Sequence, residues 1–222
     1  MSSVKVVILD IGGVVCPSPF PVFERYEKKS GMPKGSINSL LAHDEDWEEL
    51  ECGHIGAPTF VKRVLERKQL NMGNIFEELG RGAPDAGLCV LLNALRSAGV
   101  RLCAVTNNFF LDSSRSASAF PESIRGLFDV VVESCKEGVR KGKGGRGGSA
   151  IFRTAVERLG VRPEECLFLD DIGGNLKDAR DLGMHTESVS EWVSEWMERV
   201  GRGDGGVQRA SCQESRSYET VP

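Results

Sequence analysis

Short apolar runs that stop on a polar residue, separated by helix-length segments that stop on glycine, constrain this chain more than any other feature. The first run is Val4-Lys5-Val6-Val7-Ile8-Leu9, which ends at Asp10 and meets Gly12 and Gly13 at once. A β-branched run this short reads as a buried strand, and the glycines behind it demand a turn. The pattern returns at 100–106, 129–133, 166–170 and, more weakly, 185–189. Between these runs, 86–98, 150–159 and 175–182 have helical texture and close on Gly99, Gly160 and Gly183, the residue type that most readily ends a helix. Strands alternating with helices need right-handed crossovers. The fold class expected is therefore α/β, a Rossmann-like parallel sheet with helices on both faces.

One block breaks the alternation. From Val22 to Leu79 no strand signal occurs; Phe60, Val61, Val64 and Leu65 form an apolar stripe, with Lys62, Arg63, Glu66 and Arg67 on the opposite face. The acidic stretch holding Asp44, Glu45, Asp46, Glu48, Glu49 and Glu51 fits one short helix with Trp47 and Leu50, and its carboxylates are expected to be solvated. The expected organisation is an α/β core over 1–15 and 83–200, a small helical domain over 16–82 inserted after the first strand, and a disordered polar tail over 201–222. The run Lys141-Gly-Lys-Gly-Gly-Arg-Gly-Gly-Ser149 is basic and glycine-dense and is expected to be a loose loop. Trp192 and Trp196, four apart, fit a packing stripe.

Composition removes several function classes. Lys and Arg total 28 against 32 Asp and Glu, a formal net charge of −4, which argues against the basic field of a nucleic-acid binder. No apolar stretch approaches the roughly 20 residues of a membrane helix, and Met1–Lys5 does not look like a secretory signal. Seven cysteines at wide spacing, with no C-x-x-C pair, fit neither a zinc site nor a disulfide framework. A reducing, cytoplasmic setting is expected. His43, His54 and His185 do not cluster with acids at ligand spacing.

The chemistry-bearing residues sit at strand ends. In a parallel sheet the C-terminal strand ends share one edge, where open α/β sheets bind ligands. That edge would gather Asp10, Thr106-Asn107-Asn108 and Asp170-Asp171, with Lys141 after the third strand and Asn175 just past the fourth. Three carboxylates together need a cation, and Mg²⁺ suits oxygen ligands shared with phosphate and water. Thr106, Asn107 and Lys141 could serve phosphate oxygens.

The segments V-V-I-L-D-I-G-G-V-V, L-C-A-V-T-N-N, the lysine of G-V-R-K and C-L-F-L-D-D-I-G-G-N follow one another as the four motifs of the haloacid dehalogenase (HAD) superfamily do. Over about residues 4 to 197 the chain resembles that superfamily, with the helical insert in the place of its type 1 cap. It looks nearest to the subgroup containing the phosphatase-like domain of soluble epoxide hydrolases and the N-terminal domain of some acyl-CoA dehydrogenases. The resemblance implies a Mg²⁺-dependent phosphoric monoester hydrolase acting on a small phosphorylated molecule; the sequence leaves monomer and homodimer both open. It makes Asp10 the nucleophile that becomes an aspartyl-phosphate, with Asp10, Asp171, supporting Asp170 and the Gly12 carbonyl around the metal. Thr106 and Asn107 would bind the phosphoryl group, Lys141 would neutralise charge on Asp10 and phosphate, and Asn175 would orient the metal's surroundings.

Two departures stand out. Relatives usually carry an acid/base aspartate two residues after the nucleophile, where this chain has Gly12. They also pass from the lysine directly into a turn and helix, whereas Gly142–Gly148 intervene here, so Lys141 or Lys143 could fill the role. Gly12 opens an alternative, a catalytically impaired pseudo-phosphatase that binds a phospho-ligand or a protein partner. Haloacid dehalogenation needs no metal and fits the Asp170-Asp171 pair poorly. A receiver-like domain would have its residues in another order.

Overall fold

A computed structural model describes residues 4–42, 44–79, 82–142 and 148–201. The first strand, β1 (Val6–Leu9), lies in the middle of a five-stranded sheet of order β3-β2-β1-β4-β5. The others are β2 (Arg101–Thr106), β3 (Val130–Glu133), β4 (Cys166–Asp170) and β5 (His185–Ser188), and every neighbouring pair is parallel. The chain builds outward from β1 through β2 to β3, then crosses back to β4 and β5. The crevice at such a reversal of strand order is where a doubly wound sheet accepts a ligand.

Strand alternation builds two cores from one run of residues. Val7 and Leu9 point to one face, against Leu88, Leu91, Leu92 and Leu95 of α6 (Ala86–Ser97) and Trp192 of α11 (Val189–Gly201). Val6 and Ile8 point to the other, against Ile151, Phe152 and Ala155 of α9 (Ala150–Leu159). All four β1 side chains are buried, as a strand covered on both faces requires. Helix α6 starts where the Asp85 carboxylate accepts from Leu88 N at 2.7 Å, and α9 ends on left-handed Gly160.

Five helices fill the insert: α1 (Phe20–Lys29), α2 (Ser36–Ala42), α3 (Glu45–Glu51), α4 (Ala57–Lys68) and α5 (Gly73–Leu79). They enclose a separate apolar cluster that includes Ile37, Leu50, Phe60, Val64 and Ile75. Trp47, Phe60 and Phe76 meet edge-on or tilted in it, with centroids 5.5 to 6.4 Å apart.

The acidic stretch differs from its expected solvated state. Asp44, Asp46 and Glu51 are buried. Asp44 caps α3 through Asp46 N and Trp47 N and pairs with Lys68 at 2.8 Å. Asp46 pairs with Arg63 at 2.8 Å and with Arg67. Arg63, Arg67 and Lys68 of α4 reach across to α3 while staying partly in water, and their charges pair with the buried Asp44 and Asp46 carboxylates.

The insert is seated on the core through the segment that follows β2. Phe109 joins the insert's aromatic cluster, 5.1 Å from Phe76, and Ala57 N donates to Phe110 O at 2.8 Å. Gly53 has φ +71°, and a Cβ there would overlap the Cys135 carbonyl of α8 (Ser134–Glu137). Gly56 lies equally close to the Asp112 backbone. Two short helices, α7 (Glu122–Arg125) and α10 (Gly173–Asp181), complete the core. Among the described residues the cysteines are free thiols, and no helix is long and apolar enough to cross a membrane. Lys143, the tail beyond 201, Cys212 and His43 lie outside the described residues.

Candidate active site at the sheet edge

Register places the acids. The β1–β4 ladder ends at Leu9↔Leu169, so Asp10 and Asp170 emerge side by side one step later. Asp10 N still donates to Leu169 O at 3.0 Å, which fixes the backbone at the exit. Carboxylate oxygens of Asp10, Asp170 and Asp171 lie within 4.8 Å of one another; the first two residues are buried and Asp171 is exposed. A set of hard oxygen donors with one member facing solvent suits Mg²⁺, which keeps waters and shares phosphate oxygens.

Gly13 permits this approach. Its φ is +85°, and any Cβ would overlap the Asp171 carboxylate. Gly12 has no heavy atom within 4 Å of where its Cβ would be. The turn is closed by Cys16 N donating to Ile11 O at 2.7 Å and Gly13 N to Cys16 O at 2.8 Å.

Lys141 reaches the acids in spite of the glycine-rich run behind it. It is wholly buried, with Nζ 2.8 Å from Asp10 Oδ1 and 2.9 Å from Asp170 Oδ2. Burial works against its ammonium, but Asp10 and Asp170 outweigh that and hold its pKa above the ordinary value. Burial pushes the Asp10 carboxyl up to about 6, opposed by Lys141 and helped by Asp170. Burial, then Asp170, raises Asp171 as well. Acids pushed toward neutrality by burial, and further by Asp170 beside them, are the electrostatic condition a bound cation relieves.

The supporting residues divide by task. Asn175 Nδ2 donates to both Asp170 oxygens at 3.1 and 3.0 Å, and Ile172 N donates to Asp170 Oδ1 at 2.8 Å. Asp170 is therefore spent on Lys141, Asn175 and its own turn, leaving Asp171 as the exposed carboxylate beside the buried Asp10. Thr106 is buried at the end of β2, with its hydroxyl only 3.4 Å from Asn107 O. The Asn107 side chain, expected at phosphate, has a different partner here. Its Oδ1 accepts from Lys141 N at 2.8 Å and its Nδ2 faces Lys141 O at 3.4 Å. It holds the lysine's backbone.

Sequence reasoning missed three groups. Asp178 accepts from Gly142 N at 2.9 Å, and Gly148 packs against the same carboxylate. Both ends of the glycine-rich run thus close on one residue, which is why Lys141 is not displaced. The i, i+3 spacing from Asn175 to Asp178 was the available signal. Glu133 is buried and accepts from Asn108 Nδ2 at 2.8 Å, Lys136 at 2.7 Å and Arg125 at 3.1 Å. It ends its strand as Asp10 does. The third group is the pair Glu51–Arg140, with Arg140 Nε 2.8 Å from Glu51 Oε2. No spacing pattern announced it.

A family model for haloacid dehalogenase-like hydrolases matches residues 4–183. The chain belongs to that family. It is 33% identical over 199 residues to mouse acyl-CoA dehydrogenase family member 10, covering 84% of this chain and 18% of that protein. It is 36% identical over 214 residues to mouse bifunctional epoxide hydrolase 2, covering 86% of this chain and 37% of that protein. The chain thus spans well under half the length of these curated relatives. A HAD-like hydrolase from Porphyromonas gingivalis shares the fold at TM-score 0.62 and 21% identity, covering 92% of this chain and all of that one. The HAD-family enzyme BT-2542 of Bacteroides thetaiotaomicron, crystallised as a magnesium complex, does so at TM-score 0.59 and 19% identity, covering 84% and 93%.

Proposed function

We propose that this HAD-family hydrolase removes a phosphoryl group from a small phosphorylated metabolite in the cytoplasm, using Mg²⁺. The observation that carries the reading is the fully buried Lys141 joined to both Asp10 and Asp170, with Asp171 exposed beside them. A fold does not need such a charge cluster for stability, because burying it is costly. The likeness to proteins named as phosphatases, among them one from Mycobacterium tuberculosis that is 32% identical over 129 residues, supports the reading.

In this reading Asp10 Oδ1 is engaged by Lys141 and by Ile11 N at 2.7 Å, which orients Oδ2 as the attacking oxygen. Asp10 Oδ2 bonds to phosphorus as the ester P–O bond breaks, giving an aspartyl-phosphate that water later cleaves. Lys141 neutralises the charge shared by Asp10 and the phosphoryl oxygens, and Thr106 with nearby backbone N–H groups binds the phosphoryl group. Asp10, Asp171 and the Gly12 carbonyl would hold Mg²⁺, backed by Asp170 and Asn175; the ion supplies charge neutralisation to the transferring group. With glycine at position 12 the leaving oxygen has no aspartate there to protonate it. The reading therefore favours substrates with good leaving groups, such as acyl phosphates or sugar 1-phosphates. The helical insert, as a cap, would select among them.

The test is Mg²⁺-dependent turnover across a phosphate-ester library, run beside Asp10→Asn. Turnover that vanishes in Asp10→Asn is expected; a wild-type chain inert to the whole library refutes the hydrolase. Gly12 favours a second reading, in which the same edge binds a phospho-ligand or a protein partner without turning over.

A further inference from the structure

We infer that Glu51 is a positioning residue for Lys141, acting through Arg140. The inference rests on the phosphoryl-transfer reading of the Asp10 site, where Lys141 does chemistry. Lys141 is held from the sheet side by Asp10 and Asp170 at its ammonium and by Asn107 at its backbone. From the side of the insert, the hold comes through its chain neighbour. Arg140 Nε sits 2.8 Å from Glu51 Oε2 at the C-terminal end of α3.

The contact is built to transmit position. Glu51 is buried, and burial pushes its carboxyl up to about 7; Arg140 is the largest charge opposing this, with Lys141 next, while Asp10 and Glu48 add to the rise. Glu51 Oε2 and Arg140 Nε have no hydrogen-bond partner among the described residues, although they are in charge contact. Their N–H and lone pair are misaligned, so each atom relies on the proximity of the other. Moving α3 then either drags Arg140 along or strands a buried charge.

The far end of the lever is fixed. Directly after Glu51, the chain at Gly53 is seated on the Cys135 backbone, and Arg115 Nη1 donates to Gly53 O at 3.3 Å. Glu51 thus belongs to a stretch of the insert that is docked on the core, and Arg140 is one peptide bond from Lys141. The insert does more than cover the site: through this pair its seating sets where the ammonium stands.

The experiment labels lysines in the full-length protein by reductive methylation with formaldehyde and a borane, read by mass spectrometry. Wild-type Lys141 should label far more slowly than exposed Lys34. Glu51→Gln keeps the shape and removes the charge; it should speed labelling of Lys141 by about fivefold and leave Lys34 unchanged, with the circular dichroism spectrum preserved. Arg140→Gln should do the same, and the exchanged pair Glu51→Arg/Arg140→Glu should restore most of the protection. With p-nitrophenyl phosphate and Mg²⁺, Glu51→Gln should lower kcat about tenfold with little change in KM. Equal labelling of Lys141 in wild type, Glu51→Gln and Arg140→Gln overturns the inference. Faster labelling in a chain whose wild type hydrolyses no phosphate ester upholds the positioning and removes the proposed function instead.

Discussion

Gly12 is the residue whose replacement is most informative. Its surroundings are open, and its φ is not among the left-handed values of the chain, so a side chain fits there without strain. Gly12→Asp should raise turnover of phosphate monoesters with poor leaving groups, by up to ~10²–10⁴-fold for a restored acid/base. The check is kcat/KM on an alkyl phosphate, with Asp10→Asn/Gly12→Asp remaining inactive. Glu133 offers a pH test away from the metal ligands. Burial disfavours its charge, but Lys136, Ser118 and Arg125 outweigh this and hold its carboxyl below the usual range. A folded pKa below the unfolded one stabilises above the unfolded value and loses that stability as pH falls through the folded value. Glu133→Gln should therefore cost roughly 1–3 kcal/mol at pH 7 in urea unfolding, and the gap should close as pH drops below that of an ordinary glutamate. At this scale the sequence was a good guide wherever a residue's position along a strand decided its surroundings, as for Asp10 and Asp170. It was a poor guide where a partner far along the chain decided them. Asn107 has the same neighbours in sequence whether its amide faces phosphate or the backbone of Lys141.

Elements were legible in proportion to their periodicity. The strands and the helices ending at Gly99, Gly160 and Gly183 follow from local pattern. The segment after Asn107 does not: Phe110 makes isolated bridges to Gly56 and Ser118, pairings with no repeat to detect. The acidic stretch was misjudged at Asp44, Asp46 and Glu51 because hydropathy sees six carboxylates and not the cations of α4, and Arg140, that reach them. The junction between insert and core yields a sharp test. Gly53 combines a left-handed φ with direct contact on the Cys135 backbone, so Gly53→Ala must both strain the chain and lift α3 off the core. Unfolding free energy should drop by ~1–3 kcal/mol from the backbone strain alone, whereas Gly126→Ala, where a Cβ meets open space, should change it far less.

For the molecule as a whole, the sheet's order decides what the site can be. Reversal of direction at β1 puts one crevice between β1 and β4, and the acids of both strands open into it. A cation bound there stabilises only the folded chain, so Mg²⁺ at about 100 times its Kd should add ~2.7 kcal/mol. For a chain of this size that raises Tm by several degrees in calorimetry, and Asp171→Asn should abolish the shift. The alternation of elements made the architecture readable from the sequence, while the seating of the insert on the sheet was not, because it depends on surfaces brought together only by folding. The paired closure of Gly142 and Gly148 on Asp178 has a consequence of its own. One carboxylate of α10 anchors both Gly142 and Gly148, the described residues that flank the basic run. Losing the Asp178 carboxylate would therefore release both anchors at once and loosen the backbone directly after Lys141.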